Sequence, residues 1–180
     1  MLFKDKVITE YPLPMSVSIW GDPAIANLDD LIQMCLEDTD SDLEVYESLI
    51  ATGIITQMPD TCRVITSAVM QMPFQGNRYV HHTYDKHTKR CYLRYFPAVI
   101  YYKRGLNLDD IETLKGSRSQ YLKFYVLWKM VDKEVNYLQS ITLNPSEGEV
   151  NLEGLKEFRE RCKQQWDTYK ADIMLYSNNG

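Results

Sequence analysis

Four side chains of metal-ligating type, His81, His82, His87 and Cys91, fall close together in the chain. They lie in and around a segment that reads as a hairpin, and neighbouring residues of a strand project to opposite faces, so only one of His81 and His82 can join His87 or Cys91 on a given side. That geometry argues against a closed four-ligand site, and the expectation is exposed hairpin histidines, with no metal and no cofactor. Other chemistry finds no support in residue spacing. The eight glycines are isolated and build no phosphate-cradling loop. No G-x-S-x-G elbow and no H-E-x-x-H pair occurs. Asp29 with Asp30 and Asp109 with Asp110 are adjacent acids at helix starts and do not face one another as a general acid and base would. A non-enzymatic chain is expected.

One pattern suggests binding. Arg78, Lys86, Lys89, Arg90, Arg94, Lys103 and Arg104 interleave with Tyr79, Tyr84, Tyr92, Tyr95, Tyr101 and Tyr102. Cations neutralise phosphates and tyrosine rings stack on bases, so a nucleic-acid adaptor is one reading. The chain as a whole is acidic, with formal net charge −5, and carries no RNP-type motif. Tyrosine and arginine are also the residues enriched in protein interfaces. A protein contact through Tyr79, Tyr84, Arg90, Tyr92, Arg94 and Tyr95 is therefore preferred, with nucleic acid as the alternative partner.

The elements that hold these residues are legible from periodicity. Pro12, Pro14 and Pro23 predict an extended arm over residues 1–26. Through Tyr11 and Trp20 that arm contacts another chain, or through Val17, Ile19 and Trp20 it covers its own core. Asn27 followed by Asp29 and Asp30 reads as a capped helix start, with Leu28, Leu31, Ile32, Cys35 and Leu36 on one face. Leu43, Tyr46, Leu49 and Ile50 suggest a second short helix ending at Gly53. Residues 54–105 switch to strand composition: 63–69, 79–84, 90–95 and 98–103, the middle two joined across Asp85 to Thr88. A small antiparallel sheet of three or four strands results.

Asn107-Leu108-Asp109-Asp110 opens a helical turn that ends at Gly116. From Ser117 to Leu138, Tyr121, Phe124, Trp128, Val131, Val135 and Leu138 recur at helical spacing, with Ser117 and Gln120 placed as a capping box. A reversal marked by Asn144, Pro145 and Gly148 leads into a last helix from Asn151, whose stripe is Leu152, Leu155, Phe158, Cys162, Trp166, Tyr169 and Ile173. These two helices form an antiparallel pair. The expected architecture is α+β: a long C-terminal helix pair, short N-terminal helices and an inserted antiparallel sheet. Residues 27–176 make one domain with the insertion at about 54–105, and 177–180 are a polar tail.

Charge is unevenly distributed along the chain: residues 1–60 carry net −10, residues 61–130 net +8 and residues 131–180 net −3. Such segmentation steers the acidic surface of one copy to the basic surface of another, or is neutralised within one fold. Thirteen tyrosines supply apolar area that keeps a polar tip. Cys35, Cys62, Cys91 and Cys162 form no C-x-x-C pair, and the expectation is free, mostly buried thiols in a chain made in the cytosol. No secretory signal and no run long enough for a membrane span is read.

The segments GSRSQYLKFYVLWKMVDKEVNYL and VNLEGLKEFRERCKQQWDTYKADIMLY, with the proline-punctuated N-terminus, short acidic helices and inserted sheet before them, resemble small structural proteins of tailed-phage virions. The resemblance implies a non-enzymatic neck, connector or baseplate subunit. Its partners would be other virion proteins or further copies of itself, and its location the virion; without the resemblance the cytoplasm is expected.

Overall fold

The computed structural model describes residues 2–72, 76–141 and 151–177. The reversal expected at Asn144, Pro145 and Gly148, and the last three residues of the polar tail, lie outside them. The architecture is α+β, with two compact units: residues 1–42 with 107–180, and an inserted unit of residues 43–106.

The first unit is helical. Its elements are α1 (Phe3–Glu10), α2 (Leu28–Asp38), α3 (Gly116–Ile141) and α4 (Leu152–Ser177), with short 3-10 turns at Ile19–Gly21 and Leu108–Thr113. Helix α2 forms as its sequence dictates. The Asn27 side chain accepts from the Asp29 amide, and the five apolar residues of its stripe are all buried. Asn107 and Asp110 cap each other reciprocally at the second 3-10 turn. At α4, the Asn151 side chain accepts from the Gly154 amide at 2.9 Å.

Helices α3 and α4 pack antiparallel, because their partners run in opposite order: Phe124 stacks on Tyr169, Trp128 on Trp166, and Asp132 accepts from Arg159. Helix α3 is more central than a single stripe implies. Leu122, Val126, Leu127 and Met130 are fully buried along with Tyr121 and Val131, whereas Phe124, Trp128 and Leu138 are only half-buried. The helix begins at Gly116, with φ +57°, so Ser117 sits inside the first turn instead of capping it.

The N-terminal segment departs from an extended arm, since residues 3–10 are helical. The prolines act only from position 12 onward, where Pro12 holds Tyr11 in an extended conformation that ends the helix. Before it, Phe3, Val7 and Tyr11, four apart, are all buried.

Among its described residues the inserted unit holds seven strands: β1 (Val45–Ala51), β2 (Ile55–Gln57), β3 (Cys62–Met72), β4 (Gly76–Tyr79), β5 (His82–Asp85), β6 (Arg90–Leu93) and β7 (Ala98–Arg104). They form a four-stranded sheet in the order β1-β7-β3-β4 and a three-stranded sheet in the order β2-β6-β5, with every pair antiparallel. The insertion therefore starts ahead of residue 54. The segment 43–50, whose apolar spacing suggests a helix, instead supplies β1, which pairs with β7 along its whole length. Its β-branched and aromatic residues fit both periodicities, and the ladder with β7 decides between them. The strand expected at 79–84 is broken at Val80, which is buried and donates to Ala68 before the chain passes into the second sheet. The hairpin across Asp85 to Thr88 is present, paired from His82↔Leu93 to Asp85↔Arg90.

Candidate functional site

The inward side chains of both sheets share one apolar cluster that includes Ala51, Met58, Cys62, Ile65, Val80, Cys91, Leu93 and Ile100. Strand alternation then sends every second residue outward. On the four-stranded sheet the outward residues are large and apolar to an unusual degree. Tyr79 is 80% exposed, Ile50 69% and Tyr46 68%, with Val64 and Tyr101 also open. The ladder places them in rows across the sheet: Tyr46, Lys103 and Val64; Ser48, Tyr101 and Ser67; Ile50, Val99, Val69 and Tyr79. Lys103 lies 5.0 Å above the Tyr46 ring and pairs with Glu44 at 2.6 Å, so its charge is largely spent within the unit.

The three-stranded sheet presents a second open face. Arg90, Tyr92 and Arg94 alternate with the buried Cys91 and Leu93. The rows here are Ile55, Tyr92 and Thr83, then Gln57, Arg90 and Asp85. The guanidinium of Arg94 lies 5.7 Å from the Tyr95 ring. Asp85 is occupied by its own turn, accepting from the Thr88 hydroxyl and then from the His87 and Thr88 amides, which hold its carboxyl below the usual range.

Among the residues singled out from the sequence, Tyr79, Arg90, Tyr92, Arg94 and Tyr95 are thus exposed on the inserted unit. Tyr84 is half-buried, and its hydroxyl donates to the Cys62 carbonyl at 3.0 Å, which Lys89 also reaches at 2.9 Å. It anchors the hairpin and offers little to a partner. Tyr11 and Trp20 are corrections to the expected contact surface, because both are buried inside the helical unit. Tyr46, Ile50 and Val64 were absent from the sequence-derived surface, and Tyr101 belonged to the wider Tyr/Arg pattern but not to the preferred contact. The signal that would have found Tyr46 and Ile50 is the two-residue alternation from Val45 to Ala51, which competes there with a helical spacing.

The segment that carries Tyr11 and Trp20 is held against α3 partly by a carboxylate that periodicity does not single out. Glu134, in the middle of α3, is 1% exposed. It accepts from the Tyr11 hydroxyl at 3.0 Å, the Ser18 hydroxyl at 2.5 Å and the Ile19 amide at 3.3 Å, while Trp20 Nε1 donates to the Met130 carbonyl at 3.1 Å. Burial, and then the Glu134 charge, hold the Tyr11 phenol far above its usual pKa, so it remains a donor. Lys123, on the same side of α3, is also buried and reaches Glu10 at 2.5 Å. Two charged residues of α3 thus fasten the N-terminal segment. A side chain at Gly21 would collide with the Met15 carbonyl, 1.8 Å from an added Cβ, so the turn closes only with glycine there.

Among the described residues, no three His, Cys, Asp or Glu side chains converge as a metal would require. All four cysteines are free and buried. Burial pushes Cys35 and Cys162 up to about 12 and Cys91 up to about 11, leaving little thiolate at neutral pH. Iodoacetamide at neutral pH is therefore expected to leave the folded chain unmodified and to label all four thiols in urea, counted by mass spectrometry. Rapid labelling of a native thiol would show that its surroundings open. Among the described residues, no helix is long and apolar enough to cross a membrane. Compared with models of known protein families and with curated proteins, the chain matches none.

Proposed function

We propose that this chain is a non-enzymatic structural assembly subunit that binds neighbouring protein subunits through its inserted β unit, in the manner of a neck, connector or baseplate component of a tailed-phage virion. The observation that carries this reading is the outward face of the four-stranded sheet. Its interior is already filled by the shared apolar cluster, yet Tyr46, Ile50, Val64, Tyr79 and Tyr101 remain open on the other side. Large apolar side chains grouped on one face of a folded unit mark a protein contact more often than scattered exposure does. Tyrosine suits such a contact because it buries a large rigid ring at small entropic cost.

The test is assembly. Light scattering of the chain, alone and co-expressed with products of the genes flanking its own, is expected to show an oligomer or a stable complex. Replacing Tyr46, Ile50 and Tyr79 together with Ser should weaken that association by roughly 100-fold or more, since each central anchor contributes on the order of 1–2 kcal/mol. The unfolding midpoint should move little, because the three side chains are exposed. A strict monomer without partners, or a triple variant that assembles as before, would remove the proposal. A salt-dependent shift of a DNA fragment, abolished by Arg90→Glu with Arg94→Glu, would put the nucleic-acid reading in its place.

A further inference from the structure

Resting on the assembly reading, we infer that one neighbour is a second copy of this chain, bound head to tail: the Arg90-Tyr92-Arg94 face of one copy against the outer face of α2 in the next. The two units carry opposite charge. Residues 43–106 hold eight Lys/Arg against four Asp/Glu, net +4, and the remaining residues twelve against twenty-one, net −9. Copies of one chain therefore attract where unlike units meet and repel where like units meet, which favours a contact of the β unit of one copy with the helical unit of the next.

The two faces also match in detail. On β6 and just beyond it, Arg90 and Arg94 flank Tyr92, and four residues of extended chain separate the guanidinium-bearing positions by about 13 Å. On α2, Asp30 and Glu37 flank Met34, seven residues of helix apart, or about 10 Å. Met34 is 59% exposed, although the opposite side of α2 is fully buried. The contact thus sets two arginines against two carboxylates around a thioether laid on a tyrosine ring, a favourable pairing of sulfur with an aromatic.

The groups on each face are available. Among the described residues, Arg90 and Arg94 have no ion-pair partner, and Asp85, across from Arg90 in the ladder, is taken up by its turn. On α2, Lys4 takes Asp29 at 2.7 Å, while Asp30 is left exposed and Glu37 only accepts from the neutral Gln33 amide. Ile54 and Ile55, both more than half exposed, widen the apolar centre on the β side.

The test is a charge exchange read by light scattering of the full chain. In about 0.05 M salt the wild-type chain is expected to associate, and in about 0.5 M salt to dissociate, as screening shortens the reach of the charges. Arg90→Glu with Arg94→Glu, and separately Asp30→Lys with Glu37→Lys, should each weaken self-association by roughly 100-fold. Mixing the two variants should restore it, because each reversed face then meets its complement. Tyr92→Ser and Met34→Ser, neutral changes at exposed positions, should each weaken association about tenfold, and circular dichroism checks that all variants are folded. A wild-type chain that stays monomeric in low salt overturns the inference, as does a reversed variant that associates normally or a mixture that fails to recover. A chain that is monomeric alone but joins a complex with a different protein overturns self-association and leaves the assembly reading standing. A chain with no partner at all removes both, and a DNA shift without oligomers assigns the arginine face to nucleic acid.

Discussion

Replacing Glu134 with Ala is expected to lower the unfolding free energy of the helical unit by about 3–5 kcal/mol, since it leaves three buried neutral donors without an acceptor at about 1–3 kcal/mol each. The loss follows from what remains behind. The Tyr11 hydroxyl, the Ser18 hydroxyl and the Ile19 amide all donate to this carboxylate in the interior, and without it each is left buried and unpaired. Tyr11 cannot escape by ionising, because burial, the largest cause of its raised pKa, still disfavours the phenolate once the carboxylate is gone. Glu134→Gln should fall between wild type and Ala, since its amide offers one acceptor oxygen where the carboxylate offers two.

The measurement is urea unfolding followed by tryptophan fluorescence. It reports this unit alone, because Trp20, Trp128 and Trp166 all lie in it. Hydrogen exchange at the Ile19 amide should accelerate in parallel. An Ala variant within about 0.5 kcal/mol of wild type would mean that the N-terminal segment is held by its apolar contacts alone.

The second large effect belongs to Trp166. Its ring lies 4.9 Å from Tyr125, 5.4 Å from Trp128 and 6.1 Å from Tyr121, and Lys170 sits above it. It is the ring through which α4 meets three aromatics of α3, so Trp166→Ala should cost about 3 kcal/mol, toward the low end for a large aromatic because the side chain is half-buried. Trp128→Ala removes two ring contacts, with Tyr125 and with Trp166, from a side chain that is also half-buried, and should cost less, about 2 kcal/mol. Among the described residues Trp166 Nε1 is buried without an acceptor, so Trp166→Phe should recover most of the loss. Equal costs for the two Ala variants, or a larger one at Trp128, would show that the helix pair is centred elsewhere. Around this cluster the Tyr121 hydroxyl donates to Asp42 at 2.6 Å and the Tyr125 hydroxyl to Asp38 at 2.9 Å, so these tyrosines bury their rings and keep their polar tips satisfied.

Much of the fold is written locally. Asn27, Asn107 and Asn151 each accept a hydrogen bond at a helical start, because capping depends on residues two or three positions away. The stripe of α2 was complete in the sequence, since that helix buries a single face. The hairpin about Asp85 to Thr88 was legible because a short turn between two β-rich runs sets its own register. Of the candidate surface, the exposed hairpin residues Arg90, Tyr92 and Arg94 could be picked out by type, and the alternation of their strand then makes them neighbours on one face.

Other features depended on partners far along the chain. Whether 45–51 is helix or strand rests on its ladder with 98–104, and its own residues suit either state. That Phe3 to Glu10 is helical was obscured by the three prolines that follow it. Tyr11 and Trp20 look like contact residues by type, and only their meeting with Glu134 and Met130, more than a hundred positions away, turns them inward. Amino-acid order by itself therefore determined the asparagine-capped starts at Asn27, Asn107 and Asn151, the helix pair, the hairpin and the segmented charge, all of which follow from short-range spacing. Tertiary structure alone decided which sides of α3 are buried, where the Glu134 charge is satisfied and which tyrosines remain outside, because burial is a property of what packs against a residue and not of the residue itself.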